Sequence, residues 1–294
     1  VYTVQNNNQP TLDPINNGQT LILNEDDLLQ VIPLTGISEG NSNESAQIIL
    51  SALVEIITNE NSVVASAQVV YAPDSATGEL RFTLMPDAFN LPNKKAVLRV
   101  TIQDNGGTQN GATDRIQREL HVVVMPVNDP PVITPFSPNP LVINEDAGLQ
   151  TVMITGIDIG PANEADTDGN GMPEQMVQNP DVFTSDAGLI PNPVISDYNP
   201  QTKTAKLTFT ALPNKSGTAT INVRLTDNGG ALNRVSNFGL IVQVTPVNDA
   251  PTIDQAADLS INEDSGAQTL NLSGISNGAL EVGQTLSFAI SSSN

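Results

Sequence analysis

Residues 125–133 read MPVNDPPVI, and residues 245–253 read TPVNDAPTI. Each stretch closes one valine-rich run and opens the next, so the pair marks a seam used twice. Other landmarks recur in the same order. LNED at 23–26 returns as INED at 143–146 and 261–264; TGIS at 35–38 returns as TGID at 155–158 and SGIS at 273–276. QDNGG at 103–107 returns as TDNGG at 226–230, and LPNK occurs at 91–94 and 212–215. The period is about 120 residues, and a fixed period with fixed order is the signature of tandem units. The expected division is 1–9, the last strand and linker of a preceding repeat; 10–129 and 130–249, two full repeats; and 250–294, the start of a further, incomplete one. The chain opens with VYTV and stops at AISSSN in mid-pattern, without initiator Met or signal peptide, and is expected to be a window on something longer.

Each unit reads as β-structure. In AVLRVTIQD, Leu98, Val100 and Ile102 alternate with Arg99, Thr101 and Gln103; ATINVRLTD does the same with Ile221, Val223 and Leu225. Period-two alternation means strands buried on one face. RELHVVVMPV and FGLIVQVTPV close the two repeats, and no amphipathic helix of ten residues stands out. DNGG is expected to be a hairpin turn, because Asn and Gly tolerate positive φ. Short strands broken by turns predict an all-β chain of two-sheet sandwiches. The seam has no Gly/Ser linker, and its proline fixes φ, so a stiff joint is expected.

The composition removes several functions. The chain has 294 residues, 32 acidic and 11 basic, for a net charge of −21. Nucleic acid and anionic membrane both require a positive footprint. No apolar run is long enough to span a bilayer. With no cysteine and one histidine, His121, a Cys–His pair is impossible and one candidate remains for a Ser–His–Asp site. Paired carboxylates hydrolyse glycosides, but aromatic residues make up 3% and tryptophan is absent, which leaves no sugar-stacking platform. Catalysis is therefore not expected.

The acids cluster where strands end. Oxygen-only ligands without cysteine favour calcium over zinc or copper. In EADTDGNG, 164–171, Asp166, Asp168, Asn170 and Gly171 match the first half of an EF-hand loop, but the closing glutamate falls on Val177. A calcium loop of another kind is expected there.

NED, ADTDGNG, DNGG and VNDPP or VNDAP, in that order, resemble the motifs of cadherin repeats, and more closely the cadherin-like tandem repeats of large bacterial surface proteins and adhesins. The resemblance covers the whole chain. It implies tandem Greek-key, seven-stranded β-sandwiches, cadherin- or immunoglobulin-like, in an end-to-end rod with Ca2+ at the joints. It implies Glu25, Asn128, Asp129, Asp166, Asp168 and Asp227 as ligands at the middle joint, and Glu145, Asn248 and Asp249, with Glu281 as a contributor, at the next. Asn170 and Asp104 complete the metal candidates, from the loop and from the first DNGG. Cadherin linkers carry a further aspartate where this chain has Pro126 or Pro246, and the paired aspartates occur in the second repeat only, so one or two ions are expected at the middle joint.

The function implied is a calcium-stiffened stalk segment of a large cell-surface adhesin or secreted surface protein. Its partners would be neighbouring repeats of the same chain, and a cell-surface protein or glycan reached through other parts. Two alternatives stay open: repeats that bind a partner directly, homophilically or through calcium-bound glycan, and a filament subunit joined by strand exchange.

Overall fold

A computed structural model describes residues 7–27, 29–41, 47–165, 175–230, 234–278 and 284–292. The chain forms two compact units. The first comprises residues 1–129, 159–176 and 228–234; the second comprises 130–158, 177–227 and 235–294.

In the first unit, β1 (Leu21–Asn24), β7 (Arg115–Met125), β6 (Ala96–Asp104) and β3 (Ile49–Thr58) form one sheet in that order. β2 (Gln30–Leu34), β5 (Gly78–Leu84) and β4 (Val64–Tyr71) form the other. The second unit repeats the plan: β8 (Leu141–Asn144), β14 (Val235–Thr245), β13 (Gly217–Thr226) and β10 (Asp181–Thr184) against β9 (Gln150–Thr155), β12 (Thr204–Phe209) and β11 (Val194–Asn199). The protein is thus all-β, with two tandem sandwiches that have seven strands each among the described residues.

The alternation read from the sequence is what builds the core. Leu98, Val100 and Ile102 on β6 are fully buried, as are Ile221, Val223 and Leu225 on β13. Phe82, Leu80 and Leu34 meet them from the opposite sheet of the first unit. The outward residues between them carry charge: Arg99 bonds Glu119 on β7 at 2.8 Å. His121 lies on the same outward face, its Nε2 3.7 Å from Glu119 Oε2. Among the described residues the helical elements are short 3-10 turns, and no helix is long and apolar enough to cross a membrane.

One pairing has no counterpart in the sequence pattern. β1 joins β7 in parallel, Leu21 against Val122 through Asn24 against Met125, and β8 joins β14 in the same way. The glutamate of each NED motif extends this ladder. Glu25 and Glu145 each donate their N–H, to Met125 O and Thr245 O, both at 2.9 Å. The next residue, Asp26 or Asp146, turns left-handed at φ 65° or 58°. Its carboxylate accepts the N–H of Asp87 or Asn214 at 3.2 and 3.1 Å.

That last contact corrects the repeat alignment. Asp87 and Asn214 share a left-handed backbone, φ 54° and 55°, and the same bond, so MPDA at 85–88 is the counterpart of LPNK at 212–215. LPNK at 91–94 belongs to a longer connection that the first repeat inserts before β6.

The DNGG expectation is also corrected. The β6–β7 ladder ends at Gln103 against Arg115, so the connection is a long loop and not a two-residue turn. Asn105 and Gly106 do not adopt positive φ; Gly107, Asn110 and Gly111 do. Asn105 instead bonds Ile48 twice, side-chain Oδ1 accepting at 3.0 Å and backbone N–H donating at 3.2 Å. Asn228 repeats this on Met176 at 2.6 and 3.2 Å. The motif therefore ties its loop to the neighbouring chain just ahead of β3, or at the corresponding point of the second repeat.

The TGI motif has a backbone cause. Gly156 sits at φ 65°, and a Cβ there would meet Thr134, whose backbone nitrogen lies 3.0 Å from that point. Gly36 and Gly274 repeat the conformation against Asp13 and Asp254. A Gly156→Ala variant combines left-handed strain with a steric clash and is expected to lose ~1–3 kcal/mol, read by urea unfolding. An unchanged midpoint would show that the turn adapts.

Candidate metal centre

Three carboxylates converge in the first unit. Glu25 leaves β1 and is 2% exposed. Its Oε1 accepts the N–H of Val127 at 2.7 Å, and its Oε2 accepts Nδ2 of Asn163 at 2.9 Å. Glu164 lies on the 3-10 turn Ala162–Ala165 and is fully buried. Its Oε2 accepts Nε2 of Gln175 at 2.7 Å, while Oε1 is buried without a hydrogen-bond donor. Asp129, from the linker, also buries an oxygen, Oδ2, without a donor. One carboxylate oxygen from each of the three lies within 4.8 Å of the others. A second triad, Asp26, Asp87 and Asp129, meets the same limit nearer the surface, so Asp129 is common to both.

No ion pair found among the described residues involves these acids. Burying a carboxylate without a counter-charge favours its neutral form. Burial pushes Glu25 from 4.5 up to about 7, with Asp26, Asp129 and Asp87 adding to the rise against the Val127 N–H. Burial pushes Glu164 up to about 7 as well, with Asp129 and Glu25 adding to the rise against two hydrogen bonds. Asp129 rises for the same first reason, then through Asp26 and Asp87. The cluster is a concentration of oxygens and negative charge that no Lys, Arg or His among the described residues neutralises by an ion pair.

The donor set suits a hard cation. Besides the carboxylates, Asn163 Oδ1 and Gln175 Oε1 are buried acceptors without donors. Calcium takes six to eight such oxygens, carboxylate and amide alike. Glu25, Asp129 and Glu164 would hold it, with Asn163 and Gln175 supplying neutral oxygens.

The candidates from the sequence fall in different places. Glu25 and Asp129 are brought together. Asn128 stands beside them, its Nδ2 donating to Asp129 O at 3.2 Å. Asp104, 1% exposed, holds the N–H of Gly106 at 2.8 Å and Nδ2 of Asn7 at 3.3 Å. Asp227, 1% exposed, bridges to Val177 within the second unit. Glu145 repeats the bond of Glu25, its Oε1 accepting Val247 N–H at 2.7 Å. Asn248 repeats that of Asn128 on Asp249 O at 3.2 Å. Among the described residues, no acidic triad forms around Glu145, Asn248 and Asp249. Asp166, Asp168, Asn170 and Glu281 lie outside the described residues.

Glu164, Asn163, Gln175, Asp26 and Asp87 were not singled out as ligands by sequence reasoning. A signal existed for two of them. The glycine of TGI is followed eight residues later by glutamate in two repeats, Glu44 and Glu164, and a glutamine, Gln47, Gln175 or Gln284, precedes the strand pattern that resumes in all three.

No protein-family model and no curated protein matches the chain. Solved structures do. The human desmocollin-1 ectodomain aligns over 88% of this chain and 46% of its own, at 16% identity and a TM-score of 0.33. The titin domains Z1Z2, in complex with telethonin, align over 83% and 100%, at 10% identity and 0.30. Domains 4 and 5 of the S-layer protein SbsC align over 80% and 98%, at 12% and 0.26. Likeness at this level assigns no role to any residue.

Proposed function

We propose that this chain is a stretch of calcium-stiffened extracellular stalk from a large cell-surface adhesin or secreted surface protein. The observation that carries the reading is the group of Glu25, Asp129 and Glu164, a knot of negative charge with no ion pair among the described residues. These three belong to the end of β1, the linker and the turn Ala162–Ala165. A cation on them fastens those segments to one another. Without it their charges repel, screened only over a Debye length of ~8 Å at physiological salt. Tandem sandwiches suit a spacer, and a single histidine paired with Glu119 offers no nucleophile–base couple.

The test is urea unfolding in EDTA and in millimolar calcium. A ligand that binds only the folded state adds ~2.7 kcal/mol at a hundredfold excess over its dissociation constant. Extracellular calcium modules bind at ~10⁻⁴–10⁻³ M, so the gain should reach that size at about 10–100 mM calcium and rise logarithmically with concentration. Magnesium, which dehydrates reluctantly and needs octahedral geometry, should give less. Identical curves in EDTA and calcium would end the stalk-stiffening reading.

A further inference from the structure

The linker asparagines share a setting in which an amide packs against a glycine or a glutamine. Asn7 donates Nδ2 to Gly107 O and Thr113 O, both at 3.0 Å, and turns a buried Oδ1 onto Gly106. A Cβ at position 106 would overlap that Oδ1 and lie 2.7 Å from Gln47 Oε1. Asn128 donates Nδ2 to Asp129 O instead, at 3.2 Å, but also turns its Oδ1 onto the glycine: a Cβ at position 229 would overlap Asn128 Oδ1 and lie 2.5 Å from Gln175 Oε1. In the third copy the amides are bonded directly, Gln284 Nε2 donating to Asn248 Oδ1 at 2.6 Å.

Neither Gly106 nor Gly229 has positive φ. Their missing side chain is therefore a matter of space, not of backbone freedom. The first glycine of DNGG makes a notch, the linker asparagine fills it, and the glutamine ahead of the next strand closes one side. Gly230 is the built-in contrast: a Cβ there would sit 3.5 Å from Asn128 Cβ, an ordinary contact.

We infer that the asparagine of each seam, the first glycine of DNGG and the glutamine at 47, 175 or 284 form a recurring clasp that docks the linker by packing. Asn7 and Asn128 are its inserted side chains and Gly106 and Gly229 their seats; Asn248 is held by Gln284. The clasp shares Gln175 with the proposed calcium site, so it is tested in EDTA, where amide packing against glycine is read without the ion.

The experiment is amide hydrogen exchange of the linker peptide spanning residues 125–132, on the full chain in EDTA. Gly229→Ala should speed exchange there about tenfold, a local loss of ~1.4 kcal/mol, while Gly230→Ala leaves it unchanged. Asn128→Ala should speed it as well. The decisive variant is Asn128→Ala with Gly229→Ala, which should nearly match Asn128→Ala alone, because the added methyl then meets only the far end of the flexible Gln175 side chain. Should Gly229→Ala fail to fold, that double variant should restore folding. Additive effects, equal responses at 229 and 230, or no rescue would overturn the clasp. All variants are measured without calcium, so failure of the metal reading leaves this outcome untouched.

Discussion

Replacing Glu164 with Gln should stabilise the protein in EDTA and remove most of its response to calcium. The glutamate is fully buried, bonded through one oxygen to Gln175, and its other oxygen has no donor. Its pKa of about 7 means that at pH 8 the folded state holds a charge it would rather neutralise. Gln keeps the shape, keeps an acceptor for Gln175 and places a donor among acceptors, so a gain of ~1–3 kcal/mol in EDTA is expected. In calcium the same change deletes a charged ligand, and the calcium increment should fall from ~2.7 to below ~1 kcal/mol. Opposite signs in the two buffers identify a metal ligand. A variant weaker in EDTA that still gains fully from calcium would mean that Glu164 serves packing alone.

The second large effect is on pH. Glu25 and Glu164 have folded pKa values raised from 4.5 to about 7, so the folded state binds more protons than the unfolded one between those limits. Stability from these groups is therefore complete below pH ~4.5 and is lost as pH rises through ~7. One such acid accounts for ~3 kcal/mol across the window, and two in mutual contact for somewhat less than twice that. In EDTA the urea midpoint should fall from pH 5 to pH 8. Calcium takes the place of the protons, so in excess calcium the fall should flatten, and calcium affinity should drop below pH 6. A midpoint that rises with pH in EDTA would contradict the burial of both carboxylates without a counter-charge.

How far these results could be foreseen differs by level. Strand alternation was legible because burial on one face is a local property: Leu98, Val100 and Ile102 declare it without knowing their partners. The parallel pairing of Leu21–Asn24 with β7 was not, since four residues carry no mark of the distant strand that receives them. Glu25 and Asp129 stood out because recurring acids at a seam are conspicuous. Glu164 was passed over beside the showier Asp166 and Asp168, because its burial beside Asp129 and Glu25, which makes its charge costly, is invisible in a linear reading. DNGG was recognised for only one of its physical reasons: Gly107 does adopt positive φ, while Gly106 and Gly229 leave room for a neighbouring side chain. A turn signal and a notch for another residue's side chain both select glycine, and the sequence does not distinguish them.

The parallel ladder between the first and last strand of each sandwich has a mechanical side. Tension applied to a sandwich arrives through β1 and leaves through β7, pulling the two strands along their length in opposite senses. The bonds from Leu21–Val122 to Asn24–Met125 are then sheared together and cannot be peeled one at a time. Glu25, gripping both Met125 O and Val127 N–H, adds two more bonds at the end where β7 leaves the sandwich. A pulled sandwich should hold until the whole ladder slips at once.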